Sequence, residues 1–270
     1  MFCLSKQEGK DLDLNKNEFF QYRFTFNLIK SLENRFFSWR ISNDVNQRYR
    51  FPSPPFFKDE KGKITLKDYK KENIDSLDQT LVDRSSKQPD QFNAEWDISD
   101  LSSCLKKSIG LRNQYINLNE YFNNHTIKLR RYPSAGAMYS VHTYLYINKV
   151  KGLLSGLYYY DVDQENLILL SEKISHEKFQ SLFAISLGEN TAFSLFFVAD
   201  LEFTFYKYGA LAYKLALIES GHMTQNIQLV TTQLDKNSLP TCAFYADRVE
   251  NFLNIDKKKY QHCIYSMLAG

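Results

Sequence analysis

The chain has 270 residues with 34 basic and 31 acidic side chains, a formal net charge of +3, and is 43% hydrophobic and 15% aromatic. That apolar content excludes a disordered chain, and the length suffices to bury a sizeable core. The near balance of charge argues against a nucleic-acid-binding face.

The N-terminus, Met1 to Glu8, lacks the basic flank and apolar run of a signal peptide. Residues 1–79 read as an N-terminal extension and 80–270 as the main domain. Within the extension, Phe20, Phe24, Leu28, Leu32 and Phe36 recur at helical spacing, which predicts a helix over Phe19 to Trp39. Pro52, Pro54 and Pro55 cannot continue it. Lys58 to Asn73 is densely charged and reads as a solvated loop.

From Asp97 the pattern becomes regular. Asp97 is an N-cap, Leu101, Cys104, Leu105 and Ile109 follow at helical spacing, and Gly110 closes the helix. Val141 to Ile147 reads as a strand. Leu157 to Tyr160 and Leu167 to Leu170 read as a hairpin, and Phe193 to Phe205 as a further strand. Lys207 to Leu234 contains no Pro and predicts one long, largely buried helix. A short strand at Cys242 to Phe244, a helix near Asp247 to Leu253 and a last strand from Cys263 to Met267 complete the chain. The expectation is an α+β fold with a mixed sheet flanked by helices. The apolar window Ala192 to Ala199 stops at Asp200, far short of a membrane span. Cys3, Cys104, Cys242 and Cys263 form no Cys-x-x-Cys pair, so neither a disulfide framework nor a metal site is expected. The chain reads as a cytoplasmic protein with no nucleic-acid or membrane partner.

Three stretches can carry chemistry. Arg131-Tyr132-Pro133-Ser134-Ala135-Gly136-Ala137 precedes a strand, and its small residues allow a close backbone approach to a planar or phosphorylated ligand. An ordinary Pro-Ser-x-Gly turn leading into a strand is the plain alternative, and such turn signals are common. Lys207-Tyr208-Gly209 places two titratable groups at an element boundary, where either would need a lowered pKa to act as a base. A surface lysine beside a half-buried tyrosine is the plain alternative. Glu219-Ser220-Gly221-His222-Met223-Thr224-Gln225-Asn226 puts polar residues and a Gly inside the long helix. There they need partners, and the Gly costs about 1 kcal/mol unless something packs against it.

In this order the stretches resemble the SagB-type flavin dehydrogenases, the azoline oxidases of thiazole- and oxazole-modified peptide pathways. That family carries Arg-x-x-Pro-Ser-x-Gly-Ala-x-Tyr, a Gly-x-Tyr-x-Tyr hairpin, Lys-Tyr-Gly and Glu-x-Gly-His-x-x-Gln-Asn. Here these are Arg130 or Arg131 through Tyr139, Gly156 to Tyr160, Lys207 to Gly209 and Glu219 to Asn226, and the likeness covers roughly residues 80–270.

The resemblance implies a nitroreductase-like fold with FMN at a homodimer interface. It implies an FMN phosphate site at Arg84, Ser86 and Lys87, where Lys87 replaces a more usual Arg and loses bidentate binding. It also implies contacts to the flavin from Arg131, Pro133, Ser134, Ala135, Gly136, Gln225 and Asn226, and a catalytic pair in Lys207 and Tyr208. Ser140, His142 and Asp235 stand where the family often has Pro, Glu and Gly. The implied reaction oxidises a thiazoline or oxazoline in a precursor peptide to the azole, with oxygen re-oxidising the flavin. The implied partners are cyclodehydratase and peptide-binding subunits of a synthetase. Two alternatives stand beside it: an NAD(P)H-dependent nitro or quinone reductase, and a flavin-free structural subunit.

Overall fold

The computed structural model describes residues 61–67, 76–93, 95–117, 126–172, 174–255 and 260–270. The expected helix over Phe19 to Trp39 and the proline run lie outside these.

A seven-stranded sheet forms the centre. Its strands are β1 (Gly62–Thr65), β5 (Val141–Ile147), β7 (Gly156–Asp161), β8 (Asn166–Glu172), β9 (Phe193–Asp200), β10 (Ser238–Thr241) and β11 (Gln261–Ala269). They lie in the order β1-β8-β7-β5-β9-β11-β10, and every neighbouring pair is antiparallel. The parallel component is a separate two-residue ladder between β2 (Trp96–Asp97) and β6 (Val150–Lys151). A second antiparallel ribbon joins β3 (Leu111–Asn117) to β4 (Thr126–Arg130).

Alternation along the central strands builds two cores. Leu145, Tyr158, Leu195 and Phe197 point to one face, where Leu101, Cys104 and Leu105 of α2 (Ile98–Ile109) and Met223 and Ile227 of α5 (Leu211–Gln233) cover them. Tyr144, Leu157, Phe196 and Val198 point to the other. There Phe179 of α3 (His176–Gln180) and Val249 and Leu253 of α6 (Ala246–Leu253) pack. With both faces covered, all of β9 is buried, which explains its near-continuous apolar sequence. The architecture is α+β, with one large sheet flanked by helices.

Local signals place several elements where expected. The Asp97 carboxylate accepts hydrogen bonds from the Ser99 and Asp100 amides at 2.8 and 2.9 Å, and Gly110 ends α2. The β7–β8 hairpin, β5, α6 and β11 match their predicted segments.

Other expectations are corrected. Gly62–Thr65 is a strand rather than a solvated loop, and its Lys63 suits a sheet edge. The strand from Phe193 stops at Asp200, and α4 (Glu202–Tyr208) follows it. The strand expected at Cys242 to Phe244 lies instead at Ser238–Thr241. Helix α5 begins at Leu211 rather than Lys207. It is also less buried than expected, because Tyr213, Leu217 and Ile218 are 49%, 41% and 48% exposed. Among the described residues no helix is long and apolar enough to cross a membrane.

Candidate active site

The chemistry-bearing stretches meet at the end of the sheet where β5 starts and β9 stops. Residues 133–140 lead into β5, and Asp200 passes from β9 into α4. The Asp200 amide donates to the Ser140 carbonyl at 2.8 Å, and its carboxylate accepts from the Glu202 amide at 3.2 Å. The two approach segments are therefore tied together.

The loop from Pro133 to Tyr139 is held in a demanding conformation. Gly136, Ala137 and Tyr139 have φ of 60°, 53° and 49°, in the left-handed region that non-glycine residues avoid. Such backbone persists only when its surroundings enforce it. Tyr139 is pinned through its hydroxyl, which accepts from the Arg130 amide at 3.0 Å. Its ring lies 4.8 Å below the Arg130 guanidinium and edge-on to Tyr132. The guanidinium donates to the Tyr132 hydroxyl at 3.0 Å.

Helix α5 supplies the remaining restraint. The buried Glu219 carboxyl accepts from the Ser134 hydroxyl at 2.5 Å and from the Val141 amide at 3.0 Å. Burial raises the Glu219 pKa, and the donated hydrogen bonds oppose that shift. Ser134 in turn accepts from the Tyr139 amide at 2.9 Å, so its hydroxyl is spent on bracing the loop. His222 Nδ1 lies 3.3 Å from the Pro133 carbonyl. The Asn226 amide group donates to the Arg131 and Ser108 carbonyls, both at 3.1 Å. Polar residues of the long helix thus find their partners in the loop and in α2. Gly221 has open space where a Cβ would stand, so among the described residues nothing packs closely against it.

Lys207 and Tyr208 occupy the last turn of α4, not the end of a strand. A Cβ on Gly136 would lie 2.6 Å from Lys207 Nζ and would also collide with the Tyr208 hydroxyl. Both groups therefore converge on the bare Cα of Gly136. Burial lowers the Lys207 pKa, toward the neutral amine that proton abstraction requires.

A cavity of about 560 Å³ opens beside them, within the size range of small-molecule sites. It is lined by Lys207, the loop residues Pro133, Ser134 and Gly136, and an apolar floor that includes Ile127 and Leu129. Arg112, Arg130 and Arg131 complete the wall. Of these, only Arg131 was singled out from the sequence as a ligand contact. Arg112 lies on a ribbon that carries no motif, so no sequence signal marks it.

The structure brings Arg131, Pro133, Ser134, Ala135, Gly136, Asn226, Lys207 and Tyr208 into one neighbourhood. Gln225 neighbours Asn226 on α5 and is exposed. Arg84, Ser86 and Lys87 follow α1 (Leu77–Asp83) and are not among the cavity residues. Ser86 contacts α5 further along, where Gln228 donates to its hydroxyl at 3.0 Å. Among the described residues no cluster of His, Cys, Asp or Glu could hold a metal.

Residues 98–270 match the Nitroreductase family. The chain belongs to that family. Nitroreductase-family proteins are flavin-dependent oxidoreductases. A curated protein of Methanocaldococcus jannaschii, assigned to the nitroreductases, is 28% identical over 124 residues, which are 46% of this chain and 63% of that protein. A nitroreductase-type structure from Anabaena variabilis superposes with a TM-score of 0.62 at 23% identity, over 77% of this chain and 41% of that one. The match to one from Ralstonia eutropha has a TM-score of 0.60 at 18% identity, over 82% and 94%. A chain of the microcin synthetase complex of E. coli, solved with a truncated pro-peptide bound, matches with a TM-score of 0.58 at 19% identity, over 82% and 84%. This nitroreductase-family chain thus spans less than two thirds of some of the proteins it resembles.

Proposed function

We propose that the protein is an FMN-dependent azoline oxidase, which converts thiazoline or oxazoline rings in a ribosomally made precursor peptide to thiazole or oxazole. The observation that carries this reading is the convergence of Lys207 Nζ and Tyr208 Oη on Gly136 at the edge of a cavity with an apolar floor. The family match and the likeness to a synthetase chain support it.

The residues present fit a flavin. A left-handed glycine lets a planar ring approach the backbone of the Pro133–Gly136 loop, and Arg84 and Lys87 with Ser86 offer charge and a hydroxyl for the phosphate. When bound, FMN supplies hydride acceptance, with oxygen as the terminal oxidant. The chain's own task is positional and acid–base. Lys207, with Tyr208 beside it, takes the ring Cα proton, and burial favours the neutral amine that this step needs. The Glu219–Ser134 brace fixes the loop, so that Gly136 leaves room for both groups. The exposed Tyr213, Leu217 and Ile218 on α5, with open space at Gly221, suit a homodimer contact. Cyclodehydratase and peptide-binding subunits are the proposed further partners.

The first test is the visible spectrum of the purified protein, with the released cofactor identified, followed by turnover of an azoline peptide read as loss of two hydrogens. Lys207→Ala is expected to slow turnover by at least about a hundredfold while FMN remains bound. NAD(P)H-dependent reduction of a quinone that is indifferent to Lys207→Ala would favour a reductase. A colourless protein that takes up no FMN would leave a structural subunit.

A further inference from the structure

The whole chain is close to charge-balanced, yet the active-site cavity is not. Four cationic side chains line it, namely Arg112, Arg130, Arg131 and Lys207, and no Asp or Glu is among its described lining residues. They come from separate elements: Arg112 from β3, Arg130 and Arg131 from the end of β4, and Lys207 from α4.

The three guanidinium groups have neutral hydrogen-bond partners. Arg112 donates to the Gln114 side chain, Arg130 to the Tyr132 hydroxyl, and Arg131 to the Leu111 carbonyl at 3.2 Å. Asp163 and Glu219 act on Arg130 through space, without a hydrogen bond to it. Arg112 and Arg131 are exposed, and Arg130 lies deeper against the Tyr139 ring. The arrangement is a cationic rim over an apolar floor. Guanidinium groups without a carboxylate partner are suited to bidentate capture of a carboxylate.

We propose that this cavity recognises a carboxylate borne by the peptide substrate close to the ring that is oxidised, with Arg112 and Arg131 as the receiving groups at the rim. The proposal deepens the peptide-oxidation reading and rests on it for the identity of the bound peptide. It separates the substrate's anion from the flavin phosphate, whose candidate residues Arg84, Ser86 and Lys87 do not line this cavity. The carboxylate comes either from an acidic side chain or from a peptide C-terminus.

The test uses the full chain and short rhodamine-labelled peptides that differ only in charge, read by fluorescence anisotropy. Three Asp residues, three Asn residues, and the Asn peptide with a free or amidated C-terminus separate the two sources. The wild type is expected to bind a carboxylate-bearing peptide about tenfold more tightly than its neutral counterpart, with the preference shrinking as salt rises. Arg112→Glu and Arg131→Glu, both at exposed positions, are expected to abolish that preference.

Equal affinity for charged and neutral peptides in the wild type overturns the proposal. So does a variant that keeps the preference, or one that weakens FMN binding while leaving riboflavin binding intact. Charge-selective binding without any azoline oxidation leaves the anion site standing and removes the oxidase reading. Oxidation at equal kcat/KM for Asp- and Asn-bearing azoline peptides does the reverse.

Discussion

Strands β5 and β9 carry a cavity at each end, and the two cavities differ in how their charges are settled. At the far end, near the Ile147–Phe193 pair, lies a space of about 910 Å³, larger than the 560 Å³ cavity of the candidate site near the Val141–Ala199 pair. Its polar groups are largely closed on one another. Lys236 pairs with Asp100 at 3.0 Å and lies over the Trp96 ring, Asn148 donates to the Thr191 carbonyl, and Asn190 donates to the Phe92 carbonyl. The Trp96 indole N–H is the exception, buried without a partner among the described residues. At the near end the guanidinium groups lack carboxylate partners, three residues hold left-handed backbone, and a carboxyl is buried to brace them. Volume does not mark the site. Unsettled charge and enforced backbone do.

Four substitutions break or sharpen this contrast, beginning with the largest effect. Glu219→Leu leaves the Ser134 hydroxyl and the Val141 amide without their acceptor, and a loss of about 4 kcal/mol in unfolding free energy is expected by denaturant titration. An unchanged midpoint would mean that the brace is idle. Gly136→Ala strains a left-handed turn and drives a methyl group into Lys207 and Tyr208, so turnover is expected to fall about a hundredfold with little loss of folded protein.

The third substitution concerns His142, which is buried and hydrogen-bonded to the Tyr159 hydroxyl at 3.1 Å. Burial, with Arg130 nearby, depresses its pKa from 6.5 to about 3. The unfolded chain therefore binds a proton below pH 6.5 that the folded chain refuses. The stability this confers is present above 6.5 and is lost as pH falls toward the folded value. Between pH 6.5 and 5 the wild type is expected to lose about 2 kcal/mol more than His142→Gln. Parallel pH–stability curves would contradict this.

The smallest effect belongs to the far end. Asp97→Ala removes the cap of α2 and is expected to cost about 1 kcal/mol without altering turnover. A drop in kcat would show that the far cavity communicates with the near one.

Much of the fold was legible because its signals are local. The Asp97 cap, the β7–β8 turn and the run of three tyrosines in β7 each declare their element within a few residues. The failures have physical causes. Phe203 to Tyr206 is rich in β-prone residues, yet it forms the helix α4 because Asp200 turns the chain out of the sheet. Pro240 hid β10, which tolerates it only as an edge strand. The site was legible as motifs but not as an assembly. Ser134 and Glu219 are 85 residues apart, and nothing in either motif says that one closes on the other. Arg112 was invisible because its meaning arises only beside Arg131 and Lys207.

Helix α5 runs unbroken over 23 residues and touches the loop through Glu219, His222 and Asn226, then the Ser86 segment through Gln228 and Thr80 through Gln233. Inserting a single residue between Glu219 and Asn226 would rotate everything beyond it by about 100° and release those downstream contacts together. A point change along this helix removes the contacts of one side chain, whereas a change of length removes all of those beyond it.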